Sequence, residues 1–210
     1  YVRVRTPHIA KESMYIRSGH LPYYEESMFP PMEYEGGKYY LKAMNCPHHH
    51  KIFSQYLRSY RQLPLRLAEY GQVYRFENSG SLKGLSRVRG LCQNDGHIYL
   101  DPDDIKSELS AVIELHEKCY HILGLKDYRY RLSKRDPHRS QDFIGPIELW
   151  EQSEDYLRQC LVEKNLPFFE AIGEAAFYGP KIDVQMMMSS GNEESIASIQ
   201  IDFNAAEKFD

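Results

Sequence analysis

Arg75 and Arg87 stand 12 residues apart in the stretch 74–97, YRFENSGSLKGLSRVRGLCQNDGH, on either side of a loop rich in serine and glycine. A guanidinium presents several fixed donors and pairs phosphate or carboxylate oxygens two at a time, which an ammonium cannot do. Val73, Arg75 and Glu77 before the loop, and Val88, Gly90 and Cys92 after it, alternate roughly as two strands do. Residues 78–84 therefore read as the connection of a hairpin with its charges turned inward, closing on Gln93, Asp95 and His97. These residues alone fit either a phosphate or nucleotide site or a salt-bridged surface hairpin, because charge runs ordinarily face solvent.

Cys46 and His97 are a second candidate pair. Thiolate and imidazole suit zinc, and these two stand 51 residues apart at the ends of neighbouring expected strands. Zinc needs at least a third protein ligand, and a lone cysteine at a strand end also serves as packing, so both readings stay open. His48, His49 and His50 follow directly, but consecutive residues at a helix start point in different directions, and at most one of them can join Cys46. No G-x-G-x-x-G follows the first strand and no G-x-x-x-x-G-K-[ST] occurs anywhere, so a nucleotide would bind by another route.

The elements that must hold these groups alternate in type. Strands are expected over residues 1–7, 39–44, 63–70, 128–132, 168–171, 182–188 and 196–203, the last two joined by SSGNEES. Helices are expected over 11–19, 47–60, 101–123 and 146–164, with a further helical turn over 23–29. Pro47 and Pro102 sit in first turns, Asp101 acts as a cap with Asp104 as an imperfect capping box, and Gly124 follows the third helix. Strands outnumber helices and are mostly joined by hairpins, which predicts an α+β fold: an antiparallel sheet flanked by a few long helices.

Composition narrows the partners. At 210 residues the chain can bury one sizeable core, and no run approaches the roughly 18 apolar residues of a membrane helix. A net charge of -4 provides no overall basic field for nucleic acid, although a local basic strip remains open. Seventeen tyrosines suit interfaces, stacking sites or a tyrosine-rich core alike. Four cysteines without CxxC spacing point to a reducing compartment. The chain starts inside a strand-like run without an initiator methionine and stops in polar residues, so a piece of a longer protein is expected.

MNCPHH at 44–49, the stretch 63–90, QNDGHI at 93–98, GEAAFYGPKID at 173–183 and SIQIDF at 198–203 together resemble the catalytic domain of the threonyl-tRNA synthetase family of class II aminoacyl-tRNA synthetases. The resemblance implies a class II sheet truncated at both ends: residues 1–7 match the tail of the dimer-interface motif, and the third motif and anticodon-binding domain are expected beyond residue 210. It implies that Arg75 holds the ATP α-phosphate and the amino-acid carboxylate, Glu77 reads the adenine amino group and Arg87 reaches the outer phosphates. Cys46 and His97 resemble two of three zinc ligands, the third being expected beyond residue 210. By the same resemblance Gln93 and Asp95 are expected to line the amino-acid pocket, Met44 to floor it and Tyr178 to wall it. Lys181 is expected near carboxylate or phosphate, Gln200 near the adenylate, and His20 near the tRNA's terminal adenosine.

The implied partners are L-threonine, ATP with Mg2+, Zn2+, tRNA(Thr) and a second copy of the full protein, in the cytoplasm and without a membrane. Two departures stand out. His48 replaces a usual glycine, and the usual F-x-Q-D-D-A-H becomes Leu91-Cys92-Gln93-Asn94-Asp95-Gly96-His97, which removes a carboxylate beside Asp95. The 210 residues alone are expected to bind zinc poorly and to activate threonine weakly. Two other readings remain: a non-charging relative that binds ATP or an amino acid as a regulator, and a structural zinc or RNA-binding module that stacks bases on its tyrosines.

Overall fold

In the computed structural model, which describes residues 1–209, the chain divides into two units, each with its own core. The first comprises Tyr1–Asp101 and the segment from Ala205; the second is Pro102–Asn204.

The first unit opens with β1 (Val2–Arg3), β2 (Ile9–Lys11), α1 (Glu12–Arg17) and the single turn α2 (His20–Tyr23). β3 (Met32–Tyr34) and β4 (Gly37–Leu41) follow as a hairpin, and β3 is a strand the alternation did not reveal. Glu35 and Gly36 both take positive φ, 49° and 73°, the backbone of a two-residue turn whose twist matches its strands. Tyr15, Met28, Tyr40 and Ala43 pack beneath the sheet β2-β4-β3. The strand ends at Leu41, short of the expected residue 44, and α3 (Cys46–Phe53) begins after a four-residue turn. α3 also ends early: Tyr56 and Leu57 are exposed, so no packed face carries the helix on to residue 60.

β5 (Leu65–Tyr74) and β6 (Gly90–Tyr99) then pair over ten residues, with β1 parallel on the far edge of β5. Gln93, Asp95 and His97 lie within β6 rather than after it, and the connection lengthens to residues 75–89. The register places His97 beside Leu67, Asp95 beside Glu69, Gln93 beside Gly71 and Leu91 beside Val73. Period-two alternation thereby turns Leu67, Glu69, Gly71 and Val73 to the same buried face as the three polar residues of β6.

The second unit holds α4 (Ile105–Leu123), β7 (Tyr128–Lys134), α5 (Ile147–Glu163), β8 (Phe168–Ile172), β9 (Lys181–Met187) and β10 (Glu193–Gln200). Its sheet order is β10-β9-β7-β8, antiparallel except where α5 carries the chain across from β7 to a parallel β8. A short 3-10 turn, Pro102–Asp104, precedes α4, and Asp104, not Asp101, stands at the N-cap of α4, without a side-chain cap bond. Leu109, Ile113, Leu132, Leu157, Leu161 and Val184 form the centre of the core. The architecture is α+β with largely antiparallel sheets. Among the described residues no helix is long and apolar enough to cross a membrane.

Gly71 is where packing and site meet, because a Cβ there would stand 2.3 Å from the side-chain amide of the fully buried Asn45. Gly71→Ala is expected to displace Asn45 and cost about 1–3 kcal/mol, measured as a lower urea midpoint. Asn45→Ala in the same chain makes room and should recover part of the loss. A double variant no more stable than Gly71→Ala would show that the clash is absorbed elsewhere.

Candidate functional site

The first turn of α3 lies against the polar face of β6 at two points. Asn45 Nδ2 donates to Asp95 Oδ2 at 2.9 Å, and His49 Nδ1 meets His97 Nδ1 at 2.8 Å. Cys46 sits between those two contact residues, one helical turn before His49 on the same side of α3. The structure thus brings Cys46, Gln93, Asp95 and His97 to one region, with the half-buried Met44 in the turn leading into it. Burial pushes His97 below the ordinary histidine range, against the pull of Asp95, so its ring is neutral and keeps the lone pair a metal requires. A thiol and a neutral imidazole fit as two zinc donors. Among the described residues no group of three His, Cys, Asp or Glu side chains is placed to hold a metal.

Behind this face is a network that sequence reasoning missed. Glu69 is 3% exposed, and its carboxylate accepts from Thr6 N at 2.7 Å, from Thr6 Oγ1 at 2.9 Å and from His49 Nε2 at 3.0 Å. The ammonium of fully buried Lys42 stands 3.5 Å from Glu69 Oε1 and donates to Thr6 Oγ1 at 2.8 Å. Burial alone would raise the Glu69 pKa, but the bonds from Thr6 and His49 together with the Lys42 charge hold it below the usual carboxylate range. Burial pushes Lys42 the other way, down, with Glu69 opposing. The signal was present in LRLAEYGQV: alternation puts Glu69 on the same face as Leu67 and Val73, and a carboxylate on an apolar face demands partners.

The long loop after β5 carries the arginines. Arg75 continues the ladder through its N–H to Arg89 O at 2.8 Å, and its half-buried side chain reaches Ala43 O at 3.5 Å. Arg87 and Glu77, expected on different parts of a nucleotide, bond each other at 2.9 Å. The Arg87 side chain is 54% exposed there. Arg89, not singled out from sequence, pins the loop by donating to Glu77 O at 2.9 Å and Ser79 Oγ at 3.2 Å.

His20 lies in the same unit, 2% exposed, with Nδ1 2.9 Å from Ser18 Oγ and its ring edge-on to Tyr15 and Tyr24. Burial, helped by Lys208 and His48, pushes it down to about 3, so its imidazole is neutral at neutral pH.

In the second unit Lys181 Nζ stands 3.1 Å from Asp183, a fully buried carboxylate that Arg131 and Ser133 also bond at 2.9 and 2.7 Å and to which Ser198 donates. Burial would raise the Asp183 pKa, but Lys181, the two serines and Arg131 hold it down, so the carboxylate anchors the lysine as an anion. Tyr178 donates its hydroxyl to Gln200, and Asn204 Nδ2 holds the Tyr178 carbonyl at 2.8 Å. Three of the expected residues, Tyr178, Lys181 and Gln200, therefore gather around β9 and β10.

The His20 environment has a thermodynamic consequence. Its folded pKa lies below the unfolded value, so the unfolded chain takes up the proton first and stability falls as pH drops from about 6.5, by about 1.4 kcal/mol per pH unit down to about pH 4. His20→Phe is expected to make the slope of urea stability between pH 6 and pH 4.5 shallower by that amount. Parallel slopes would show that His20 titrates alike in both states.

Comparison with known proteins follows the same lines as the geometry. Residues 31–210 match the family described as the tRNA synthetase class II core domain (G, H, P, S and T). The whole chain is 45% identical to a threonine–tRNA ligase of Geobacillus sp. (strain WCH70) and 44% identical to threonine–tRNA ligase 1 of Bacillus subtilis (strain 168), and it spans 33% of the length of each. Among solved structures, all of the chain superposes on 51% of a chain described as the RNA binding domain of threonyl-tRNA synthetase from Cryptosporidium parvum Iowa II, with TM-score 0.92 and 34% identity. It likewise superposes on 48% of a putative threonyl-tRNA synthetase from Aeropyrum pernix, with TM-score 0.87 and 36% identity. With its α+β architecture and its polar β6 face behind an Asn-Cys helix start, the chain belongs to the class II tRNA synthetase core-domain family.

Proposed function

We propose that these 210 residues are part of the catalytic domain of a threonine–tRNA ligase, which joins L-threonine to ATP as threonyl-adenylate and passes the threonyl group to the 3′ terminal adenosine of tRNA(Thr). The observation that carries this reading is the face of β6, where Gln93, Asp95 and His97 stand together and Asn45 and His49, on either side of Cys46, reach Asp95 and His97. Likeness to threonine–tRNA ligases along the whole chain supports it. Homodimer formation and a cytoplasmic location for the full protein belong to the same proposal.

In the first step the threonine carboxylate attacks the α-phosphorus of ATP in line and pyrophosphate leaves. The carboxylate is already ionised at neutral pH, so no general base is required, and the demand is to hold two anions together while charge spreads over the phosphoryl oxygens. Arg75 is assigned to both anions, Lys181 to carboxylate or phosphate, Gln200 to the adenylate and Mg2+ to the ATP phosphates. Glu77 and Arg87 are assigned to adenine and the outer phosphates, for which their mutual bond must open. His20, neutral at working pH, is assigned to orienting the ribose hydroxyl of the tRNA in the second step by hydrogen bonding.

Cys46 and His97 would hold zinc together with a third ligand from elsewhere in the protein. When bound, zinc would act as a Lewis acid to which the amino and hydroxyl groups of threonine could both coordinate. Asp95 is assigned to accept from the threonine hydroxyl, Gln93 and Tyr178 to line the pocket, and Met44 to floor it. A site that must be satisfied by a hydroxyl rejects valine far better than an apolar pocket can, whereas serine lacks only a methyl, worth about 10- to 200-fold.

In the full-length protein, Arg75→Ala is expected to lower threonine-dependent pyrophosphate exchange about 100- to 1,000-fold, with Arg75→Lys recovering only part because it keeps the charge and loses the fork. Unchanged exchange in Arg75→Ala would remove the two-anion role. Asp95→Ala should reduce the threonine-over-valine ratio of kcat/KM more than it reduces ATP binding, and an unaltered ratio would take Asp95 out of side-chain recognition.

A further inference from the structure

We propose that His49 and Glu69 are positioning residues that fix the tautomer of His97, so that His97 offers Nε2, and not Nδ1, to zinc. The inference rests on the function proposed above, and its geometry is independent of that function.

The hydrogen-bond polarity follows from one end of the chain of contacts. An ionised carboxylate only accepts, so His49 Nε2, 3.0 Å from Glu69 Oε2, carries the proton. With its one proton there, His49 has a bare Nδ1. His97 Nδ1, 2.8 Å away, must donate to it. That leaves the Nε2 lone pair of His97 unprotonated and directed away from His49. Reversing the polarity would require His49 to carry two protons, which would set two fully buried cations, His49 and Lys42, against the single carboxylate of Glu69.

The anchor cannot easily rotate. Glu69 Oε1 accepts the Thr6 N–H at 2.7 Å and faces Lys42, while Oε2 takes Thr6 Oγ1 and His49. Both His49 and Glu69 are shut off from water, so no solvent molecule competes for either proton. Metal-binding histidines generally have the other ring nitrogen held in this way, with affinity losses of about 10- to 100-fold when the holder is removed.

Glu69→Gln provides a test a merely structural role would not meet. The Oε1 position faces two donors, so the carbonyl oxygen of the introduced amide must occupy it, and the amide –NH2 then falls at the Oε2 position facing His49 Nε2. The amide donates where the carboxylate accepted. His49 becomes protonated on Nδ1, and the polarity reverses so that His97 carries its proton on Nε2, the position zinc needs.

The experiment uses the full-length protein with 15N-labelled histidine, read by ring-nitrogen NMR in the metal-free state, and zinc affinity from competition with a chromophoric chelator. Expected results are Nδ1–H for His97 in the parent protein, Nε2–H in Glu69→Gln, and zinc affinity about 10- to 100-fold weaker in that variant. His49→Phe, which removes both nitrogens at similar ring size, should also weaken zinc and leave His97 without a fixed tautomer; it serves if Glu69→Gln does not fold. Nε2–H on His97 in the parent overturns the proposal and leaves the ligase function standing. Unaltered zinc affinity in a folded variant with inverted His97 overturns it too. A parent protein that exchanges pyrophosphate with threonine but binds no zinc overturns the proposal and the zinc assignment, not the ligase reading.

Discussion

The first unit depends on a carboxylate that has been taken out of water. Glu69 has no solvent to stabilise its charge, and the protein replaces it with a backbone N–H, a hydroxyl, an imidazole and an ammonium drawn from three separate stretches of chain. Removing any one of these leaves a buried charge short of a partner, which is far more costly than losing a surface bond. The amino-terminal segment at Thr6, the end of β4 at Lys42 and helix α3 at His49 are therefore tied to β5 by a single group. The polar face of β6 inherits its order from that tie, because His49 reaches His97 from the same helix whose preceding residue, Asn45, reaches Asp95.

The second unit repeats the device with different residues. Asp183 is a fully buried anion on β9 that gathers Arg131 and Ser133 from β7, Ser198 from β10 and Lys181 from its own strand. Sheet register determines who can join: Arg131 is directly opposite Asp183 on β7, and Ser198 directly opposite on β10. Cross-strand neighbours are the closest side chains a sheet provides, so a buried carboxylate on the central of three strands collects donors from both sides.

Much of this arrangement was legible in sequence, and the limits have physical causes. Period-two alternation located β5, β7 and both strands of the SSGNEES hairpin but only the start of β6, and the apolar spacing located α4 and α5 to within a few residues. It failed for α3 beyond Phe53, where the apolar residues exist but nothing covers them, and at Met32–Tyr34, where three residues are too short for a pattern. Gln93, Asp95 and His97 could be grouped because their spacing of two survives folding as a shared face. Glu69, Thr6, Lys42 and Asn45 could not be grouped, since their meeting depends on register and helix placement across as many as 63 residues of chain. Only Glu69 carried a local hint, as the one acidic residue on an otherwise apolar strand face.

Two ion pairs of the first unit, Lys42–Glu69 and Arg87–Glu77, show how burial separates a fixed contact from one that can open. Lys42 and Glu69 are both shielded from solvent, so screening is weak and neither can leave without stranding the other. Arg87 and Glu77 have the shorter separation, 2.9 Å against 3.5 Å, yet Arg87 is more than half exposed and its pair is worth at most about 1 kcal/mol. In the proposed function the outer phosphates compete with one carboxylate for Arg87, and opening a pair of that strength costs little. Arg89 keeps the loop in place while this happens, because it holds the backbone carbonyl of Glu77 and not its carboxylate. Distance alone would rank the loop pair as the stronger one. Solvent reverses the ranking, and it is the weak, exposed pair that can open at little cost.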